Sequence, residues 1–127
     1  MSSQSKALIV DDDEPIRNMI RRVLERDGFA VETATNGQEA IDLLEGKEYD
    51  FVVLDLMMPR VDGYGVLRYL REHSPQSLRK VVIATAVDSA DDVRREPVAG
   101  ILRKPFDLRD LRSLAHRFLS PGDELPA

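Results

Sequence analysis

Hydrophobic and polar positions along this chain fall into two alternating patterns. The first is a short apolar run: Ala7 to Val10, Phe51 to Leu54, Val81 to Ala84 and, more weakly, Val98 to Leu102. Unbroken runs of this length suit strands covered on both faces, as in a parallel sheet. Ala30 to Ala34 differs, because Val31 stands among polar neighbours; that segment predicts a half-exposed edge strand.

The second pattern has helical spacing. Ile16, Met19, Ile20, Val23 and Leu24 share one face, and Gly28 suits the stop that follows. Ala40, Ile41 and Leu44 mark a second helix, entered through Asn36-Gly37, and Tyr64, Leu67 and Leu70 a third, entered after Asp62-Gly63. Leu108, Leu111, Ala115 and Phe118 mark the last, with Asp107 as its cap and Asp110 three residues on. Between Thr85 and Lys104 the chain must fit a loop, a helix, a turn and a strand. Asp88, Asp91 and Asp92 offer helix-start signals there, but Pro97 ends any helix by about Glu96, so this fourth helix is short or irregular. Strands alternating with helices give a run of βα units. Parallel strands need right-handed crossovers, and the predicted product is an open, doubly wound α/β sheet.

Such sheets bind ligands at the carboxyl ends of their strands. The residues that fall there are Asp11-Asp12-Asp13-Glu14 after the first strand, Asp55 after the third, Thr85 at the end of the fourth, and Arg103-Lys104-Pro105 after the fifth. If strands one and three are neighbours, Asp11, Asp12 and Asp55 converge. Like charges brought together raise one another's pKa unless something neutralises them. A hard divalent cation does so, and Mg2+ uses few carboxylates. Lys104 would add a second positive charge and Thr85 a neutral donor. Together they make a cradle for a phosphoryl group, and a carboxylate can serve as nucleophile in such a transfer. Plainer readings compete at each position taken alone. Asp11 to Asp13 can serve only as helix caps, and for Asp13 that is the preferred role. Asp55 can be a loop carboxylate, Thr85 ordinary strand chemistry and Lys104 a surface lysine. Their coincidence at successive strand ends favours the site.

Composition narrows the classes. The 127 residues amount to one domain, read as residues 1–121 with a flexible tail over 122–127. A net charge of -5 without a basic stripe argues against nucleic acid as a partner of this domain. With no cysteine, disulfides and thiolate metal sites are excluded; only His73 and His116 offer imidazoles. No apolar run approaches membrane-spanning length and no signal segment is apparent, so the expectation is a cytoplasmic protein without membrane contact. Neither GxGxxG nor GxxxxGK[ST] occurs, which removes nucleotide and dinucleotide binding.

In this order the segments Leu8-Ile9-Val10-Asp11-Asp12, Val53-Leu54-Asp55-Leu56-Met57-Met58-Pro59, Asp62-Gly63, Thr85-Ala86 and Lys104-Pro105-Phe106 resemble the receiver domains of response regulators, over roughly residues 6 to 119. The resemblance implies a (βα)5 flavodoxin-like, CheY-like fold with strand order 2-1-3-4-5. It also implies Asp55 as phosphoacceptor and Mg2+ held mainly by Asp12, with Asp11, Asp55 and the Met57 carbonyl. Thr85 and Lys104 would bind the phosphoryl group, and Lys104-Pro105 would be a cis peptide. Pro59 and Gly63 would shape the loop after the acceptor. The implied partners are a histidine kinase or histidine phosphotransfer protein and a downstream target that the sequence does not name. Output would come by conformational change, and the chain would be a phosphoacceptor rather than an enzyme. In this family two positions tune phosphoryl lifetime; here they are Met57 and Val87, both apolar, which predicts slow self-dephosphorylation. Ile101 stands where many relatives carry an aromatic switch, and the Thr85-to-Lys104 segment is short. These departures motivate an alternative, a non-phosphorylated receiver-like binding module. A second rival, an aspartyl-nucleophile phosphatase, is disfavoured because Met57 replaces the second Asp that such enzymes need.

Overall fold

The structure, a computed structural model, describes residues 4–58, 60–86 and 96–119. Its strands are β1 (Lys6–Val10), β2 (Ala30–Ala34), β3 (Phe51–Leu54), β4 (Val81–Thr85) and β5 (Gly100–Arg103). Its helices are α1 (Glu14–Arg26), α2 (Gly37–Gly46), α3 (Gly63–His73) and α4 (Leu108–His116), so α4 is here the helix that follows β5. A 3-10 turn over Pro75–Lys80, which the periodicity did not foretell, leads into β4. The short helix expected after Thr85, Val87, Pro59 and the expected tail over 122–127 lie outside the described residues.

The sheet runs β2-β1-β3-β4-β5, and every pairing is parallel. This is the doubly wound order expected from the sequence. Residues alternate between the two faces. Leu8, Val10, Val52, Leu54, Val81 and Ile83 pack on one side with Ala40 of α2 and Val66, Leu67 and Leu70 of α3. Ala7, Ile9, Phe51, Val53, Val82 and Ala84 pack on the other with Ile20 and Leu24 of α1 and Leu111 and Ala115 of α4. Both-face burial is why β1, β3 and β4 read as unbroken apolar runs. The two edge strands, β2 and β5, are only half-buried, which explains the polar residues of β2 and the weak signal of β5.

Each helix starts on a short acceptor side chain. Asp13, Asn36, Asp62 and Asp107 accept backbone N–H groups of Ile16 (3.1 Å), Glu39 (2.9 Å), Gly65 (3.1 Å) and Arg109 (2.8 Å) respectively. Asp13 is thus the cap its position suggested. At the far end of α1, the buried Asp27 carboxylate accepts two bonds from the Arg112 guanidinium (2.8 and 2.9 Å), with His116 Nε2 at 3.5 Å. That fork ties α1 to α4.

Candidate functional site

Four strand ends meet at one rim of the sheet. There the ladder runs one step beyond the strands: the Asp11 N–H donates to the Ala34 carbonyl (3.1 Å) and the Asp55 N–H to the Val10 carbonyl (2.9 Å). Backbone pairing therefore sets Asp11 and Asp55 side by side. Both are buried, 2% and 4% exposed, whereas Asp12 faces solvent. One carboxylate oxygen from each of Asp11, Asp12 and Asp55 lies within 4.8 Å of the others.

Lys104 reaches this cluster from the end of β5. Its Nζ donates to Asp11 Oδ2 (2.7 Å) and, at longer range, to Asp55 Oδ2 (3.4 Å). The Lys104 N–H donates to the carbonyl of Thr85 (2.8 Å), which holds the lysine backbone against the end of β4. Thr85 itself is buried. The Lys104-Pro105 peptide is cis, as expected. Met57 contributes its N–H to Asp55 Oδ1 (3.2 Å), while its side chain is 60% exposed. Gly63, at the start of α3, lets the chain pass close to the end of β3: a Cβ there would come within 2.3 Å of the Asp55 carbonyl oxygen. Asp11, Asp12, Asp55 and Lys104 thus gather at one place, with the backbones of Met57 and Thr85 tied to it.

Burial is the largest influence on Asp55 and pushes its carboxyl above the ordinary carboxylate value; the Lys104 charge and the Met57 N–H pull it down, and Asp11 pushes it up again. Burial works against the Lys104 charge as well, but the hydrogen bond and charge of Asp11, followed by those of Asp55, outweigh it and raise the lysine above its usual value. One ammonium, bonded to two of the three carboxylates, leaves a net negative centre. Carboxylates are acceptors only, and this set offers hard oxygen donors at mutual distances that a small divalent cation can span. The donor set fits Mg2+.

Two features escaped the sequence reading. Arg17, on the second turn of α1, donates from Nη1 to the backbone carbonyl of Asp11 (2.9 Å). Nothing in its helical spacing signalled that contact. The second is an apolar rim. Met19 and Met57 are the exposed large hydrophobic residues among those described, and Ile16, Met19, Ala86, Pro105 and Phe106 line a cavity of about 370 Å3 beside Lys104. Ile101, at the position of the family's aromatic switch, is half-buried against the core on the α2 and α3 side.

Residues 7–116 match the response regulator receiver domain. The chain is similar to the response regulator MprA of Mycobacterium sp. strain KMS, with 42% identity over 96% of this chain and 56% of that protein. MprA of Mycolicibacterium vanbaalenii is 42% identical over 84% of this chain and 46% of its own length. The chain spans about half the length of the curated relatives it matches. Among solved structures, the Francisella response regulator 1452 receiver domain superposes with a TM-score of 0.75 at 32% identity, covering 89% of this chain and 98% of that one. The response regulator TrrA of Thermotoga maritima, solved in complex with Mg2+ and BeF, gives a TM-score of 0.80 at 28% identity, covering 91% and 99%. The family match runs from β1 to the end of α4, and the fold and the strand order agree with it: this chain belongs to the response regulator receiver domain family of two-component signalling.

Proposed function

We propose that Asp55 accepts a phosphoryl group from the phosphohistidine of a histidine kinase or histidine phosphotransfer protein, and that the domain signals through the resulting change in shape. The observation that carries this reading is a buried carboxylate set beside two further carboxylates and one ammonium at the strand ends of a receiver fold.

The chemistry follows from the chain's own groups. An oxygen of the ionised Asp55 carboxylate attacks phosphorus; the P–O bond forms as the P–N bond to the donor imidazole breaks, and the imidazole leaves. Asp11, Asp12, Asp55 and the Met57 carbonyl would hold Mg2+, which when bound offsets the negative charge of the phosphoryl oxygens. The likeness to TrrA, solved with Mg2+ and BeF, supports that choice of ion. Lys104 already stands 3.4 Å from Asp55 and turns from Asp11 to the new phosphoryl oxygens. Thr85 donates its hydroxyl to another of them. The arriving charge draws both groups inward and biases a two-state domain, as charge switches do.

The apolar rim of Ile16, Met19, Pro105 and Phe106, with Met57 across the site, gives the donor protein a surface to dock on. Met57 has no hydrogen-bonding side chain to orient an attacking water, so the acyl phosphate decays slowly, over longer than minutes. Residues 1–121 form the single domain that does this, in the cytoplasm, where its partners would be found.

Acetyl phosphate and Mg2+, with intact mass as readout, test the proposal on wild type and Asp55→Ala. A gain of one phosphoryl group in wild type alone is the expected result. Absence of both the gain and Mg2+ binding would instead establish a non-phosphorylated binding module.

A further inference from the structure

Asp11 is fixed at every polar atom it has. Its N–H donates to Ala34 (3.1 Å), Oδ1 accepts the Asp13 N–H (2.9 Å), Oδ2 accepts Lys104 (2.7 Å), and its carbonyl accepts Arg17 Nη1 (2.9 Å). Three of these bonds come from backbone or from the cluster itself. The fourth comes from a helix side chain outside the cluster. It meets a need that the sheet leaves open. The last sheet bond at this end is the one from the Asp11 N–H to Ala34, and among the described residues the carbonyl of this buried residue has no ladder partner beyond it.

The bland reading of Arg17 is a surface arginine paired along its own helix. Its neighbour one turn back, Asp13, is however committed to capping, since Asp13 Oδ1 accepts the Ile16 N–H (3.1 Å). Arg17 is half-buried and reaches away from the helix surface to the end of β1. A guanidinium keeps its charge and donor geometry at any physiological pH.

We infer that Arg17 is a positioning residue for the acidic centre: by gripping the Asp11 carbonyl it locks the turn from β1 into α1, and so sets where Asp11 and Asp12 present their carboxylates to Mg2+. The inference deepens the reading above and rests on it. It also has a sign that separates it from simple charge proximity. Arg17 as a nearby charge repels a divalent cation, so its removal would tighten Mg2+ binding. Arg17 as a grip acts the other way, because residues that orient metal-ligating carboxylates typically contribute 10-fold or more in metal affinity.

The experiment is titration calorimetry of the unphosphorylated protein with MgCl2, alongside thermal melting, for wild type, Arg17→Met, Arg17→Gln and Arg17→Lys. Arg17→Met raises the Mg2+ dissociation constant about 10-fold, Arg17→Lys recovers part of that loss, and phosphorylation by acetyl phosphate returns toward the wild-type rate at saturating Mg2+. Unchanged or tighter binding in Arg17→Met, with only a lower Tm, overturns the inference and leaves Arg17 a structural strut. Should Arg17→Met fail to fold, Arg17→Gln decides by the same signs. A wild type that binds no Mg2+ removes the functional reading and this inference together, whereas normal wild-type binding with indifferent variants removes the inference alone.

Discussion

Asp27 and Asp55 are both almost withdrawn from solvent, at 6% and 4% exposure, and both face cations. At Asp27 the match is complete: the Arg112 fork takes both carboxylate oxygens at 2.8 and 2.9 Å, and His116 stands at 3.5 Å. At Asp55 the nearest cation is a single ammonium at 3.4 Å, and that ammonium is closer to Asp11. Burial wins there and the carboxyl is pushed upward. The difference separates structure from function. A buried carboxylate that holds two helices together is given all the donors it can use. On the reading proposed above, a carboxylate that accepts a phosphoryl group beside Mg2+ is left short of donors, because the missing positive charge is what the cation supplies.

The sharpest break of this contrast is Asp55→Asn. Phosphorylation from acetyl phosphate should vanish from the mass spectrum, while Tm rises, since an amide removes a desolvated charge without opening a cavity. The mirror change at the other end is Arg112→Ala, which strands Asp27 in its buried position. A fall in Tm with phosphorylation unaffected is expected; loss of phosphorylation with Tm unchanged would erase the division between the two ends.

The pH dependence of stability sharpens the comparison further. Folding raises the Asp55 pKa, so the stability this group contributes is fully present below the ordinary carboxylate pKa and is lost as pH climbs through the raised folded value. Glu32 has the opposite sign: its hydrogen bond from Lys47, first among its influences, lowers it, so its contribution is present above the ordinary value and is lost as pH falls. Urea midpoints measured between about pH 4 and pH 7 should therefore improve for Asp55→Asn relative to wild type toward the upper end of that range. An equal difference at every pH would count against a raised Asp55. The smallest effect is expected at Arg60, which holds φ at 63° in the loop after β3. Arg60→Gly should stabilise by no more than about 1 kcal/mol, as relief of left-handed strain is partly offset by the entropy of glycine. Chemical denaturation resolves a change of that size.

Legibility in the sequence followed burial. β3 reads at its true bounds because it is covered on both faces, and β2 was recognisable as an edge because Glu32 and Thr33 break its apolar run. β5 starts two residues later than its apolar run suggested, since Val98 and Ala99 pack on the core from outside the strand. Asp11, Asp55, Thr85 and Lys104 were visible because each follows or ends a strand, a position that periodicity locates well. Side chains that act across the fold gave no such signal. Asp27, Arg112 and His116 look like unrelated surface charges until α1 and α4 lie together. Arg17 sits in a helix whose other charged residues face solvent, and nothing in its spacing shows that it reaches a carbonyl.

The bond from Lys104 to Asp11 joins residues 93 apart in sequence. A ribosome delivers chain from the N-terminus onward, so the carboxylates are made early and their ammonium late. β1 lies inside the sheet between β2 and β3, but β5, which brings Lys104, is an edge strand that docks only on β4. A nascent chain with four strands in place would hold three converging acids without their lysine. The cluster is complete only on arrival of the last strand, which makes its completion a molecular signature that the whole sheet has assembled.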